Sequence, residues 1–205
     1  MDGVLVRSEE TWARVVEESG ARFRGRPVPR EEFLPTFGQG TEADVRAFGL
    51  RCTPAELDAF YLEAFPRHAA ATVWVDPAAR PLLEALRAAG RRRAVVTNTL
   101  TPLARHVLEA AGLLPLLEVV ACADQVPRAK PAPDLVLHAC ARLGVSPAEA
   151  WMVGDSRYDR GAAGAAGVRF VGLGLDGDAR IESLPELAPL LGLAPPLQAP
   201  PESPR

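Results

Sequence analysis

A chain of 205 residues has room for one domain with a sizeable insertion and can bury a core without a disulfide or metal staple. Its 48% hydrophobic and 24% charged residues fit an ordinary globular protein, and a net charge of -3 offers no basic footprint for nucleic acid. No stretch is long and apolar enough to span a membrane, and the opening residues lack the basic start and apolar core of a signal peptide, so the expected location is the cytoplasm.

The chain opens on Met1-Asp2-Gly3-Val4-Leu5-Val6-Arg7-Ser8-Glu9, in which Asp2-Gly3 taken alone is common turn chemistry. Residues 9–75 then read as helical. Glu10 to Glu18 carries apolar Trp12, Val15 and Val16, and Glu31 to Leu34, Glu42 to Phe48 and Pro54 to Phe65 follow between Gly and Pro breaks. Phe37-Gly38-Gln39-Gly40-Thr41-Glu42 is loop-like, with Thr41 as a candidate N-cap and Asp44 three residues on. A helix-opening turn is the simpler reading of that loop, and a specificity loop is the functional one. The first strand-like run of this region is Val73-Trp74-Val75.

Residues 76–193 alternate helices with short apolar runs. Pro81 to Gly90 predicts a helix, Ala94 to Thr97 a buried strand, and Thr101-Pro102 the N-cap and first turn of a helix reaching Ala111. Leu117 to Ala121, Trp151 to Val153 and Val168 to Leu173 read as strands, with helices over Pro133 to Leu143 and Asp159 to Ala166. This alternation predicts an α/β fold with a doubly wound parallel sheet. The tail, 194–205, is rich in Pro and is expected to be disordered. Cys52, Cys122 and Cys140 lack metal-ligand spacing and read as reduced thiols, and Arg91-Arg92-Arg93 reads as a solvated helix-to-strand turn. His68, His106 and His138 are scattered singly and read as surface or packing residues.

Four blocks in order carry the functional signal: Asp2-Gly3-Val4-Leu5-Val6-Arg7-Ser8, Val95-Val96-Thr97-Asn98, Lys130-Pro131, and Val153-Gly154-Asp155-Ser156-Arg157-Tyr158-Asp159. Thr97-Asn98 could merely cap a helix, Lys130 could be a loop lysine, and Asp155 could sit in a simple turn. The shared order resembles the motif set of the haloacid dehalogenase superfamily, in its phosphatase branch with an early helical cap. The resemblance implies a Rossmann-like core interrupted by a cap over 9–75, with 1–8 as the remnant of the first core motif. It implies Mg²⁺ as cofactor, a small phosphorylated metabolite such as phosphoglycolate or a sugar phosphate as substrate, and neither nucleic acid nor membrane as partner.

Residue by residue, Asp2 would protonate the leaving alcohol and contribute to the metal site, while Thr97, Asn98 and Lys130 would hold the phosphate. Asp155 would bind Mg²⁺, and Asp159 would either join it or orient Lys130. Asp2 favours phosphate chemistry over dehalogenation, because only an alcohol leaving group needs that proton. Arg7 departs from the family pattern, where Asp commonly precedes the Ser. The family's nucleophilic aspartate would fall immediately before Met1, at the end of a central first strand. The resemblance thus implies about ten upstream residues, a strand and its lead, and predicts that the chain as written is inactive and folds poorly. A phosphomutase of the same fold is one alternative. A catalytically inactive metal- or phosphate-binding protein, with Met1 as the true start, is the other.

Overall fold

The computed structural model describes residues 1–193, and the Pro-rich tail, 194–205, lies outside the described residues. The chain starts in a tight turn. Leu5 N–H donates to the Met1 carbonyl at 2.9 Å and Gly3 N–H to the Val6 carbonyl at 2.8 Å. Strand β1 (Val6–Arg7) follows and pairs antiparallel with β2 (Trp74–Val75), Val6 opposite Val75 and Arg7 opposite Trp74.

Between these two short strands lies a wholly helical segment, so the chain leaves and re-enters through a two-stranded neck. It comprises α1 (Glu9–Arg24), α2 (Arg30–Phe33), α3 (Thr41–Phe48) and α4 (Pro54–Thr72). Helix α4 opens with a capping box in which Thr53 and Glu56 satisfy each other's backbone N–H groups. It runs a further two turns beyond the expected end at Phe65, with Pro66 inside it. Pro66 removes one ladder hydrogen bond, but Tyr61, Ala64, Phe65 and Ala69 are buried on either side and hold the helix by packing. The indole of Trp12 on α1 packs against the rings of Tyr61 (5.2 Å between centroids) and Phe65 (4.7 Å). Glu18 on α1 accepts from Arg67 and pairs with His68 of α4.

The remainder alternates as α5 (Ala79–Ala88), β3 (Ala94–Thr97), α6 (Thr101–Ala110), β4 (Val119–Cys122), α7 (Asp134–Leu143), β5 (Trp151–Gly154), α8 (Arg157–Ala166) and β6 (Arg169–Leu173). Strand β7 (Ala179–Ile181) and the short α9 (Leu187–Leu190) complete it. All the ladders here are parallel. β3 pairs with β4, and β6 lies between β5 and β7. Among the described residues no ladder joins the β3–β4 pair to the β5–β6–β7 group.

Two expected caps are corrected. Leu100, not Thr101, is the N-cap of α6, and Thr101 offers both its N–H (2.8 Å) and its hydroxyl (2.9 Å) to Asp124 Oδ1. Gly40, not Thr41, is the N-cap of α3, which leaves Asp44 free of the capping role. Arg92 and Arg93 pair with Glu118, the three cysteines are free thiols, and no described helix is long and apolar enough to cross a membrane.

Candidate active site

The carboxyl ends of parallel strands are where open α/β sheets place their ligands, and five segments meet there. They are the Asp2-Gly3 turn, the residues leaving β3, the loop that carries Lys130, the end of β5 with Asp155, and the first turn of α8. The resulting crevice is open at its mouth, with the helical segment as its other wall. Asp2, Thr97, Asn98, Lys130, Asp155 and Asp159 all line it.

Asp2 is held by three hydroxyls. Ser8 donates to Oδ1, and Thr99 (3.0 Å) and Thr97 (3.3 Å) donate to Oδ2. The Thr97 hydroxyl in turn accepts from the Thr99 N–H at 3.1 Å. Ser8, Thr97 and Thr99 are all buried, so this small network has little water to compete with it. Thr99 was not among the expected site residues. Its signal was the alternation Thr97-Asn98-Thr99, which turns both hydroxyls to one side of the emerging chain.

Two glycines set the close approach of the aspartates. Gly3 has φ +73°, and a Cβ there would lie 1.7 Å from Asp155 Oδ2, so the Asp155 carboxylate rests against the residue that follows Asp2. A Cβ on Gly154 would lie 2.3 Å from the Cβ of Asp159, which lets the first turn of α8 settle onto the end of β5.

Lys130 and Asp159 form a buried ion pair, Nζ to Oδ1 at 2.7 Å, and Lys130 Nζ also meets the Val96 carbonyl at 3.3 Å. The second oxygen of Asp159 accepts from Ser156 N–H (3.2 Å) and Ser156 Oγ (2.6 Å), while the Ser156 hydroxyl caps α8. Desolvation opposes ionisation of Asp159, but the charges of Lys130 and the N-terminus and the hydrogen bonds from Lys130 and Ser156 together outweigh it and hold the carboxyl below its ordinary range. Both oxygens of Asp159 are thus engaged, one by Lys130 and the other by Ser156.

Asn98 is also redirected. Its carboxamide donates to the carbonyls of Gly38 and Lys130, each at 3.0 Å, and accepts the Lys130 N–H at 2.8 Å. Both side-chain N–H groups are thereby spent, so Asn98 clips the Gly38 loop of the helical segment to the Lys130 loop and offers its side chain to no phosphate. The 37–42 loop is thus both the opening of α3 and a wall of the site.

Asp155 is different. Burial and the nearby charge of Asp159 raise its carboxyl above the usual range, and the N-terminal charge, a backbone hydrogen bond and the Lys130 charge only partly offset this. Among the described residues no group of three or more His, Cys, Asp or Glu is disposed to cage a metal. Mg²⁺ needs only one or two carboxylates, with phosphate and water completing its shell. Asp155 lies against the turn that carries Asp2 and is in no ion pair among the described residues, so the donor set fits a hard cation.

On the helical wall, Asp44 accepts from Gln39 Nε2 (2.8 Å) and Tyr61 Oη (3.0 Å). Neither Asp44 nor Tyr61 was anticipated as lining the crevice.

Comparison with known proteins accords with this geometry. A family model described as haloacid dehalogenase-like hydrolase matches residues 1–167. A phosphoglycolate phosphatase of Nitrosospira multiformis is 33% identical over 175 residues, covering 82% of this chain and 77% of its own. That of Escherichia coli is 32% identical over 201 residues, covering 93% and 74%. The solved structure of CbbY from Rhodobacter sphaeroides in complex with phosphate superposes with a TM-score of 0.80 at 26% identity, covering 94% of this chain and 96% of its own. The chain therefore belongs to the haloacid dehalogenase-like hydrolases, in their phosphatase branch.

Proposed function

We propose that this crevice binds a small phosphomonoester, of the phosphoglycolate or sugar phosphate kind, and that the site hydrolyses it with Mg²⁺ through an aspartyl-phosphate. The observation that carries the reading is the meeting of Asp2, Thr97, Lys130 and Asp155, four residues of distant sequence position, around one cavity. Helices α1 to α4, which cover its mouth, act as the cap. The names of the relatives support phosphate ester chemistry and the substrate class.

The attacking carboxylate would belong to an aspartate immediately before Met1, at the end of a strand between β3 and β5. The absence of a ladder between those strands supports that position. As this carboxylate bonds to phosphorus and the ester oxygen departs, Asp2 gives the alcohol its proton. Ser8, Thr97 and Thr99 fix the Asp2 carboxyl at the leaving oxygen. Water then cleaves the acyl phosphate, with Asp2 taking its proton. Lys130, aimed by Asp159, holds the transferred phosphate oxygens, while the Thr97 hydroxyl is given to Asp2. The Asp155 carboxylate and the Asp2 backbone carbonyl would hold Mg²⁺, which would supply charge neutralisation over those oxygens.

Calorimetric titration of Mg²⁺ into the protein with inorganic phosphate present tests the metal assignment. Saturable binding is expected, weakened at least about tenfold by Asp155→Asn, the scale of losing one charged ligand. Undiminished Mg²⁺ binding in the variant would remove Asp155 from the metal site.

A further inference from the structure

The helical wall of the crevice has a charge character of its own. Among the described residues that line the cavity, Lys130 is the only Lys, Arg or His side chain, and it stands on the core wall, paired with Asp159. The helical wall offers instead a carboxyl, Asp44, with Gln39, Tyr61 and Thr41 beside it and apolar Trp12, Val16, Phe33 and Phe37 around it. No cation of that wall awaits a second anionic group.

Asp44 is also fixed in place. Each of its oxygens takes one donor, Gln39 from the loop and Tyr61 from α4, and Tyr61 is itself locked edge-on against Trp12. Gln39 Oε1 faces the Tyr158 hydroxyl at 3.5 Å, which ties this cluster to the first turn of α8. Asp58, on α4, adds a second negative charge behind Asp44. Above about pH 7, where Asp44 is ionised, a carboxylate arriving here would meet a like charge in a poorly solvated place, where repulsion is strongest. A hydroxyl would find oxygens with lone pairs to spare and aromatic surface for its carbon skeleton.

We propose that Asp44, set by Gln39 and Tyr61, is a specificity-determining residue that selects phosphomonoesters whose alcohol portion carries no second negative charge. The inference rests on the phosphatase reading of the crevice and narrows it. It disfavours phosphoglycolate and sugar bisphosphates and favours esters of uncharged, hydroxylated alcohols. Discrimination of this kind works by building repulsion against the wrong ligand as well as attraction for the right one.

The test is a set of calorimetric titrations of the intact chain at about pH 8.5, where Asp44 is ionised, with Mg²⁺ present, by inorganic phosphate, glycerol 3-phosphate and phosphoglycolate. Glycerol 3-phosphate should bind at least about tenfold more tightly than phosphoglycolate, the effect of a single like-charge contact. In Asp44→Asn that ratio should fall to within about threefold, whatever happens to the affinity for phosphate itself. The ratio in the unmodified chain needs no variant, so poor folding of Asp44→Asn leaves the decision intact. Phosphoglycolate binding as tightly as glycerol 3-phosphate, with inorganic phosphate also bound, would overturn the role of Asp44 and spare the phosphatase reading. Failure of all three ligands to bind a chain that unfolds cooperatively on heating, and so is folded, would overturn both.

Discussion

Asp44 and the Lys130–Asp159 pair show how burial decides the meaning of a charge at the scale of single residues. Lys130 and Asp159 are each enclosed, and each compensates the other at 2.7 Å. Removing either partner would strand a buried charge, which costs far more than the pair contributes. Asp44 has only neutral donors. Desolvation, helped by the charge of Asp58, pushes its carboxyl from an ordinary 3.8 up to about 7, against the hydrogen bonds of Gln39 and Tyr61. The folded protein therefore keeps a proton that the unfolded chain releases above about pH 3.8. Stability falls as pH rises through that window to about 7, because the native state binds more protons there. The titratable groups facing Asp44 are Tyr61 and Asp58, both on α4; Tyr61 is itself held well above its usual range and stays neutral. Urea midpoints measured at pH 5 and 7.5 should show Asp44→Asn gaining on the unmodified chain at the higher pH. Parallel behaviour of the two proteins would mean that Asp44 titrates normally. None of this was legible in the sequence, where Asp44 stands three residues after Thr41 and reads as a capping partner. Its burial depends on Tyr61, 17 positions on, and no local pattern reports such a contact. Asp2, Thr97, Lys130 and Asp155 were legible because their types and order resemble one motif set. Thr99, equally close to Asp2, stood outside that pattern.

At the scale of elements, the helix-strand alternation of the core was read correctly because short β-branched runs and Gly stops punctuate it. Ala94–Thr97 is a strand with the expected bounds. Helix ends were read less well, for a physical reason. Thr101 looks like a cap by type, but Asp124 from the turn after β4 satisfies its N–H and hydroxyl, and the cap position passes to Leu100. The extension of α4 past Pro66 was hidden likewise, since buried neighbours override a local breaker. The start of α8 combines a structural and a functional duty. Ser156 caps the helix through the Asp159 N–H and also donates to the carboxylate that aims Lys130. Ser156→Ala should cost about 1 kcal/mol as a lost cap, seen as a lower thermal midpoint. It should also weaken inorganic phosphate binding as Asp159 loses its brace. A drop in stability with phosphate affinity intact would confine Ser156 to capping.

The whole molecule is a parallel core with a helical segment hung from a two-stranded neck, and the ligand-facing residues lie where the two parts meet. Asn98 joins them directly, bridging Gly38 and Lys130. The two groups of parallel strands, β3–β4 and β5–β6–β7, share no ladder among the described residues. A strand ending in aspartate between them would supply both the missing pairing and the attacking carboxylate. The most direct test is the Mg²⁺-dependent rate of p-nitrophenyl phosphate hydrolysis by the chain extended upstream with such a strand, against the chain beginning at Met1. The account predicts turnover in the extended protein at least about 10³-fold above the shorter one, the scale of losing a covalent nucleophile. A folded but inert extended protein, or equal rates from the two, would contradict it.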